Sequence, residues 1–269
     1  GYVIMSSETG VVDIKPDNVL SHGRLEPGKI FLVDMEEGRI VNDDEIKEDI
    51  VSKRPYEDWI NKNILQLADV PYTGNRTPDE KLSLETRLKI FGYTKEDFRK
   101  IIIPMCQTGK EAIGSMGTDT PLAVLSKKPQ LIYNYFKQLF AQVTNPPLDG
   151  IREEIITDTS LSLGRNHNLF EIVEEHSINL TIKNPIISNE DLDKIKYINH
   201  KNFKASSIKC LYEFKKGHNG IEEALDKIVL KIEKCIDQGS NIIILSDRLV
   251  SKKMAPIPIL LVCSYVHQT

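Results

Sequence analysis

The chain has 269 residues, of which 40% are hydrophobic and 28% charged, and its 35 basic and 39 acidic side chains give a formal net charge of −4. This composition is that of an ordinary globular protein, and it lacks the clustered positive charge that nucleic-acid binding requires. The longest apolar runs, at residues 242–245 and 257–266, fall short of the roughly 20 residues of a membrane helix. We therefore expect neither a nucleic-acid nor a membrane partner.

The four cysteines, Cys106, Cys210, Cys235 and Cys263, lie far apart and form no Cys-x-x-Cys pair. This spacing is typical of buried, reduced thiols, so we expect a location in the cytoplasm or a plastid rather than secretion. No signal-peptide pattern is present. The first five residues have the apolar pattern of a strand interior, which suggests a fragment of a longer chain.

The first 60 residues show a β-rich pattern followed by a helical one. Short apolar runs between turn residues predict hairpin strands at 2–5, 11–14, 29–34 and 39–41. The acidic cluster after Asn42 then predicts a helix start, with an interruption at Pro55 and a domain boundary near residue 60.

The middle of the chain has helical signals on either side of a long polar loop. Thr94, with Asp97 three residues later, predicts a capped helix over 95–105. Pro129 suits the first turn of a second helix over 131–143, which is apolar around most of its circumference and therefore expected to be buried.

The last third predicts a strand–helix–strand unit. A strand at 207–214 precedes an amphipathic helix at 221–237, and a fully apolar strand at 241–245 follows the stop at Gly239. The expected fold class is α/β, with a β-rich N-terminal tail and a central domain whose mostly parallel sheet is flanked by helices.

Two polar segments in the middle of the chain are candidate binding elements. The loop 108–121 has three glycines and several hydroxyl groups that could surround an anion, although an ordinary capped turn is the more common case and neither a Walker nor a dinucleotide motif is present. Thr144 and Asn145 precede Pro146, which restricts their backbone. They could line a polar passage for a small neutral molecule or cap the preceding helix.

A third candidate lies at the end of the apolar strand, where Ser246, Asp247 and Arg248 reach the carboxyl edge of the predicted sheet. This edge binds ligands in many α/β proteins, and the alternative is a surface turn with a weak ion pair. The histidines and cysteines show no metal-ligand spacing, and no nucleophile motif appears.

Longer blocks of the sequence resemble glutamate synthase. The matching blocks are residues 114–126, 135–147, 245–248 and 255–258, while 8–13 and 28–34 resemble the end of that family's N-terminal glutaminase domain. The resemblance extends over nearly the whole chain. It implies that residues 1–60 are the tail of a glutamine amidotransferase domain, and that 61–269 are most of the central domain, without its last elements.

The resemblance implies an oxidoreductase of glutamate biosynthesis and ammonia assimilation. The family transfers the amide nitrogen of glutamine to 2-oxoglutarate, with reduction, and ammonia passes through an internal tunnel to a domain with FMN and an iron–sulfur cluster. These parts are implied to lie outside this chain, so the isolated piece is expected to be inactive and to hold no cofactor. Its partners would be the glutaminase and FMN-binding domains of the same chain, with a reductase subunit or domain, or ferredoxin, as the electron source.

The resemblance also assigns supporting residues. Thr144 and Asn145 match a segment along the ammonia tunnel, and Ser115, Met116 and Gly117 match a loop on the 2-oxoglutarate side. No catalytic or metal-binding residue is implied.

Three residues depart from the family pattern. Ala112 and Gly150 stand where many members have proline, and Leu249 replaces a common glycine. The alternative to a glutamate synthase piece is a stand-alone α/β binding or structural module without catalysis.

Overall fold

The computed structural model describes residues 1–75, 82–112, 121–136 and 147–269. The strands are β1 (Leu32–Asp34), β2 (Arg39–Val41), β3 (Ile64–Gln66), β4 (Leu161–Leu163), β5 (Asn179–Ile182), β6 (Ala205–Lys209), β7 (Leu211–Glu213), β8 (Ile242–Ser246) and β9 (Met254–Pro256). The helices are α1 (Asp43–Ser52), α2 (Tyr56–Asn63), α3 (Leu84–Ile90), α4 (Lys95–Asp97), α5 (Ile103–Thr108), α6 (Gly150–Ile156), α7 (Asn189–Lys196), α8 (Gly217–Asp237) and α9 (Ile259–Gln268). None of the helices in these ranges combines the length and hydrophobicity needed to cross a membrane.

The N-terminal part forms one antiparallel hairpin, in which β1 pairs with β2. The Asp34 carboxylate accepts hydrogen bonds from the backbone N–H groups of Glu36 and Glu37 and so fixes the turn. The predictions of strands at 2–5 and 11–14 are wrong, and β1 is shorter than predicted. Those segments are exposed and pair with no strand in the described ranges, and an apolar pattern forms a strand only where a partner satisfies its backbone.

Two helices follow the hairpin as predicted. The Asn42 side chain accepts a hydrogen bond from the backbone N–H of Asp44 and caps α1. Pro55 separates α1 from α2, and α2 leads directly into β3.

The first sheet has the order β3-β5-β4. β5 pairs with β3 in parallel and with β4 in antiparallel orientation. The sheet contributes to the first core cluster, whose buried members are Leu67, Val70, Leu180, Ile182, Ile195, Phe203 and Ile242.

The second part of the core is built on the predicted strand–helix–strand unit. β6 and β8 pair in parallel, and α8 forms the connection between them. The second core cluster comprises the buried residues Ile208, Cys210, Leu225, Ile228, Ile232, Ile257 and Val262. The apolar face predicted for α8 packs into this cluster except at Ile236, which is 54% exposed.

The β6–β8 sheet lies between the two clusters. Ile242 and Ile244 pack with the first cluster, and Ile243 and Leu245 pack with the second. Because both faces of the sheet are covered, side chains on both sides of β8 are shielded from water, which explains why residues 242–245 are all apolar. The α/β class is confirmed, with small sheets that combine parallel and antiparallel pairs.

The predicted strand 207–214 is divided at Cys210 into β6 and β7. The backbone N–H of Cys210 donates to the carbonyl of Ser246 at 2.7 Å, and its carbonyl accepts from Ile257 N–H at 2.9 Å. Cys210 is therefore the residue at which the chain leaves the parallel β6–β8 pair and enters the antiparallel β7–β9 pair.

The helix predicted at 95–105 begins with the expected capping box of Thr94 and Asp97 and extends to Thr108. A π-helical turn, Phe98–Ile102, separates α4 from α5. Pro104 explains the turn, because proline has no N–H for the bond to the carbonyl four residues earlier and its ring clashes with that carbonyl.

The prediction of a buried helix over 131–143 is wrong for the part that the structure describes. Ile132–Phe136 forms a 3₁₀ helix, and Tyr133, Tyr135 and Phe136 are exposed. Residues 137–143 lie outside the described ranges. Apolar composition predicts burial only if a neighbouring element covers it, and sequence periodicity does not show that neighbour.

Candidate functional site

The carboxyl edge of the β6–β8 sheet carries the polar residues predicted for it. Ser246 is the last residue of β8 and pairs with Lys209 of β6. Asp247 and Arg248 follow beyond this end of the strand. Their position is the one at which α/β sheets commonly bind ligands.

Arg248 is held in place by neighbouring polar groups. Its Nη2 donates to Oδ1 of Asn189, the first residue of α7, at 2.6 Å. Its backbone N–H donates to Ser246 Oγ at 3.4 Å. Among the described residues it forms no ion pair with Asp247 within 4.0 Å, so the interpretation as a surface ion pair is wrong. Arg248 instead ties the sheet edge to the start of α7.

Cys210 is the one buried thiol at this edge of the described structure. Its Sγ donates to the carbonyl of Ile208 at 3.5 Å. Burial raises the pKa of the Cys210 thiol, and the Asp247 carboxylate raises it further. A thiol that stays protonated is a poor nucleophile and a poor metal ligand.

Leu249 has an unusual backbone conformation. Its φ is 70°, and it is the only non-glycine residue with positive φ in the described ranges. The glycine that the resemblance implies at this position would fit that geometry better, since a side chain strains a left-handed backbone.

The five site residues assigned from the resemblance are not brought together in the described structure. Ser115, Met116 and Gly117 lie in 113–120, and Thr144 and Asn145 lie in 137–146; both segments are outside the described ranges. Beyond the second segment, the Asp149 carboxylate accepts from the N–H groups of Ile151 and Arg152 and caps α6 at Gly150.

No metal centre is formed within the described parts of the chain, where no three His, Cys, Asp or Glu side chains come together. Iron–sulfur clusters require several cysteine thiolates, and these residues do not fit one. The prediction that the cysteines are buried holds for Cys210 and is wrong for Cys106 and Cys263, which are exposed. Burial of a cysteine depends on its tertiary neighbours, which spacing along the sequence does not show.

A polar junction that the sequence did not indicate joins α2 to the 3₁₀ turn Glu174–Ser177. Glu174 Oε1 accepts from Lys62 Nζ at 2.6 Å and from Asn63 Nδ2 at 3.0 Å, and Asn63 Nδ2 is also 3.0 Å from Ser177 Oγ. Asn63 is buried, so these bonds satisfy its amide. Only its contact with the distant α2 gives Glu174 this role.

Comparisons with protein families match two successive parts of the chain. The family of class-II glutamine amidotransferases matches residues 1–59. The glutamate synthase central domain matches residues 86–269, which is more than half of the chain.

Individual relatives match along nearly all of the chain. The large chain of NADPH glutamate synthase from Bacillus subtilis is 42% identical over 99% of the chain, NADH glutamate synthase from Schizosaccharomyces pombe is 36% identical over 98%, and the chloroplastic ferredoxin-dependent glutamate synthase of Spinacia oleracea is 33% identical over 99%. The chain spans only 17%, 13% and 16% of the lengths of these relatives. With this extent of similarity and the match at 86–269, the chain belongs to the glutamate synthase family and carries its central domain.

Proposed function

We propose that this chain is the connecting piece of a glutamate synthase. The complete reaction would convert glutamine, 2-oxoglutarate, two electrons and two protons into two molecules of glutamate. The relatives named for this enzyme support the proposal, and the chain corresponds to less than a fifth of their length. The chemistry itself belongs to parts of the protein outside these residues.

The observation that carries the proposal is the junction between the two matched segments. The amidotransferase match ends at residue 59 inside α2, and β3 begins directly after Asn63 and joins the first sheet. Asn63 and Lys62 bind Glu174 on the other side of this junction. Such a direct contact between α2 and the segment matched at 86–269 is suited to holding two active sites at a fixed separation.

Within this role we propose that Thr144 and Asn145 line the ammonia tunnel. Ammonia is small, neutral and polar, so a passage lined by hydroxyl and amide groups suits it. Pro146 and Pro147 restrict the backbone beside both residues. Ser115, Met116 and Gly117 would approach the 2-oxoglutarate side of the synthase site.

The remaining parts of the proposal concern the longer protein. A downstream domain would hold FMN and an iron–sulfur cluster, with FMN supplying the reduction. Electrons would come from a reductase subunit or domain or from ferredoxin, since relatives are named for NADPH, NADH and ferredoxin. The protein would act in the cytoplasm or a plastid.

The test is to obstruct the proposed tunnel in the complete enzyme. In a coupled enzyme, one 2-oxoglutarate is consumed for each glutamine hydrolysed. We expect Asn145→Trp to keep glutamine hydrolysis while this ratio falls severalfold and free ammonia accumulates. Glutamine, 2-oxoglutarate and ammonia are measured in the same reaction.

The matched control is Asn199→Trp, at an exposed asparagine that is not assigned to the tunnel, which should leave the ratio unchanged. A folded Asn145→Trp enzyme with a normal ratio would contradict the tunnel role. Absence of glutamate formation in the unaltered complete protein would contradict the proposed enzyme.

A further inference from the structure

A turn between β4 and β5 presents two large apolar side chains to solvent. The turn comprises residues Asn168, Leu169, Phe170 and Glu171. Leu169 is 87% exposed and Phe170 is 97% exposed. Exposed apolar side chains next to each other in a folded domain commonly mark an interaction site.

The turn is fixed by hydrogen bonds to its own residues. Asn168 Oδ1 accepts from Phe170 N–H at 3.2 Å, and Asn168 Nδ2 donates to Glu171 Oε1 at 3.0 Å. The backbone N–H of Glu171 donates to the carbonyl of Asn168 at 3.1 Å. The two apolar side chains are therefore presented by a defined backbone conformation.

A second element, the 3₁₀ turn Glu174–Ser177, contacts the first turn through the side chain of His176. His176 Nε2 lies 3.2 Å from the carbonyl oxygen of Asn168 and 2.9 Å from that of Glu171. The His176 ring also makes an edge contact with the ring of His167, with 5.5 Å between centroids. Ordering the turn costs conformational entropy. Within the described structure, Leu169 and Phe170 are not buried, so the hydrophobic effect does not offset this cost.

The position of the turn indicates what covers it. The same 3₁₀ turn carries Glu174, which binds Lys62 and Asn63 at the end of α2. The class-II amidotransferase match reaches residue 59 within α2. The exposed turn is thus close in the chain to the 3₁₀ turn that contacts α2, the helix in which the amidotransferase match ends.

We propose that Leu169 and Phe170 dock into an apolar groove on the amidotransferase domain of the same longer chain. This inference rests on the proposed function, because it requires that domain to be present. The contact would add a second attachment beside the Lys62–Asn63–Glu174 junction. It would fix the orientation of the two domains, which a single attachment point does not.

The test uses the complete protein with Phe170 replaced by the photo-crosslinking analogue p-benzoyl-phenylalanine. After irradiation, cross-linked peptides are identified by mass spectrometry. We expect cross-links from position 170 to the amidotransferase domain of the same chain. Cross-links to another domain, to a second copy of the chain, or to none would overturn the proposal.

A second measurement tests burial independently of cross-linking chemistry. In the complete protein, Phe170→Cys should react with a maleimide at least tenfold more slowly than Glu175→Cys, which replaces a neighbouring exposed residue. Peptide mapping separates both sites from the native cysteines. Equal labelling rates would overturn the proposal even if the variants remain folded.

Neither readout requires glutamate formation. Docking in a protein without glutamate synthase activity would leave this surface in place and contradict only the proposed function. A normally active enzyme with an accessible position 170 would contradict only the docking.

Discussion

Leu249 shows how one residue can carry backbone strain beside a candidate site. It follows Arg248, whose side chain ties the end of β8 to α7, and its backbone has a φ of 70°. For an amino acid with a side chain, this conformation costs about 1–2 kcal/mol because Cβ approaches the following carbonyl oxygen. The turn keeps this geometry although leucine stands in it.

Two substitutions at Leu249 separate the strain from the loss of the side chain. At a position with an ordinary backbone conformation, a protein with glycine is less stable than the same protein with alanine. Here we expect Leu249→Gly to be more stable than Leu249→Ala by about 1 kcal/mol, because only glycine adopts the left-handed backbone without strain. Urea unfolding of both variants measures the difference. Equal stability, or a more stable alanine variant, would contradict a strained turn.

At this scale the sequence predicts what depends on close neighbours in the chain. Asn42 and Thr94 cap their helices as expected, because a cap binds backbone N–H groups two or three residues away. The departure at Leu249 is also visible in the sequence, but its positive φ is not. The exposure of Cys106 and Cys263 depends on distant residues and could not be predicted.

The junction of α2 with the 3₁₀ turn Glu174–Ser177 depends on residues more than 100 positions apart. Hydrogen bonds from Lys62 and from Asn63 lower the pKa of the Glu174 carboxyl group. A carboxyl group with a lower pKa in the folded state stabilises that state at pH values above its unfolded pKa, about 4.3 for glutamate. This stabilisation is lost as the pH falls through the folded pKa.

Glu174→Gln tests this pH dependence. The variant removes the charge that binds Lys62, so we expect it to be less stable than the unaltered protein at pH 7. The effect should be small because the pair is partly exposed, and the difference should shrink below about pH 4. Chemical unfolding at pH 7 and pH 3.5 checks this. Glu175→Gln is the control, and a difference that grows on acidification would contradict the role of Glu174.

Elements with a partner close in the chain were predicted more successfully than elements that need a distant one. The β6–α8–β8 unit could be predicted from its apolar periodicity and from the expected helix stop at Gly239. Gly239 lies just beyond the end of α8 and has a φ of +89°. The strands expected at 2–5 and 11–14 have the same kind of local pattern and do not form. A strand pattern in the sequence specifies which face of a strand could be buried. Whether the strand forms depends on the presence of a partner strand.

The whole molecule is organised around the β6–β8 sheet. Ile242 of β8 belongs to the first core cluster, while Ile208 of β6 belongs to the second. Each cluster thus covers one face of the same two strands. The candidate site at the carboxyl edge lies where this shared sheet ends, so its geometry depends on both clusters.

The family could be predicted from long blocks of sequence, whereas the three-dimensional site could not. The blocks 114–126 and 135–147 identify the family by their residue order, which requires no structure. The site residues assigned within these blocks lie outside the described ranges, so their roles stay predictions. The carboxyl-edge residues were placed correctly because a parallel strand has a defined end.

The shared sheet predicts that the two core clusters unfold together. Leu180 is fully buried in the first cluster and Ile228 is buried in the second. Replacing either by alanine should cost about 2–5 kcal/mol. Because either loss uncovers one face of β6 and β8, we expect Leu180→Ala to accelerate amide exchange in α8, and Ile228→Ala to accelerate it in β5.

Hydrogen exchange with mass spectrometry measures both effects under native conditions, where cooperative units open separately if they are independent. Leu230→Ala, on the exposed side of α8, is the control and should change exchange little in either cluster. If each core substitution accelerated exchange only in its own cluster, the β6–β8 sheet would not couple them. Coupling in both directions would mean that the sheet edge with Arg248 is lost whenever either cluster opens, so the candidate site would be no more stable than the weaker of the two.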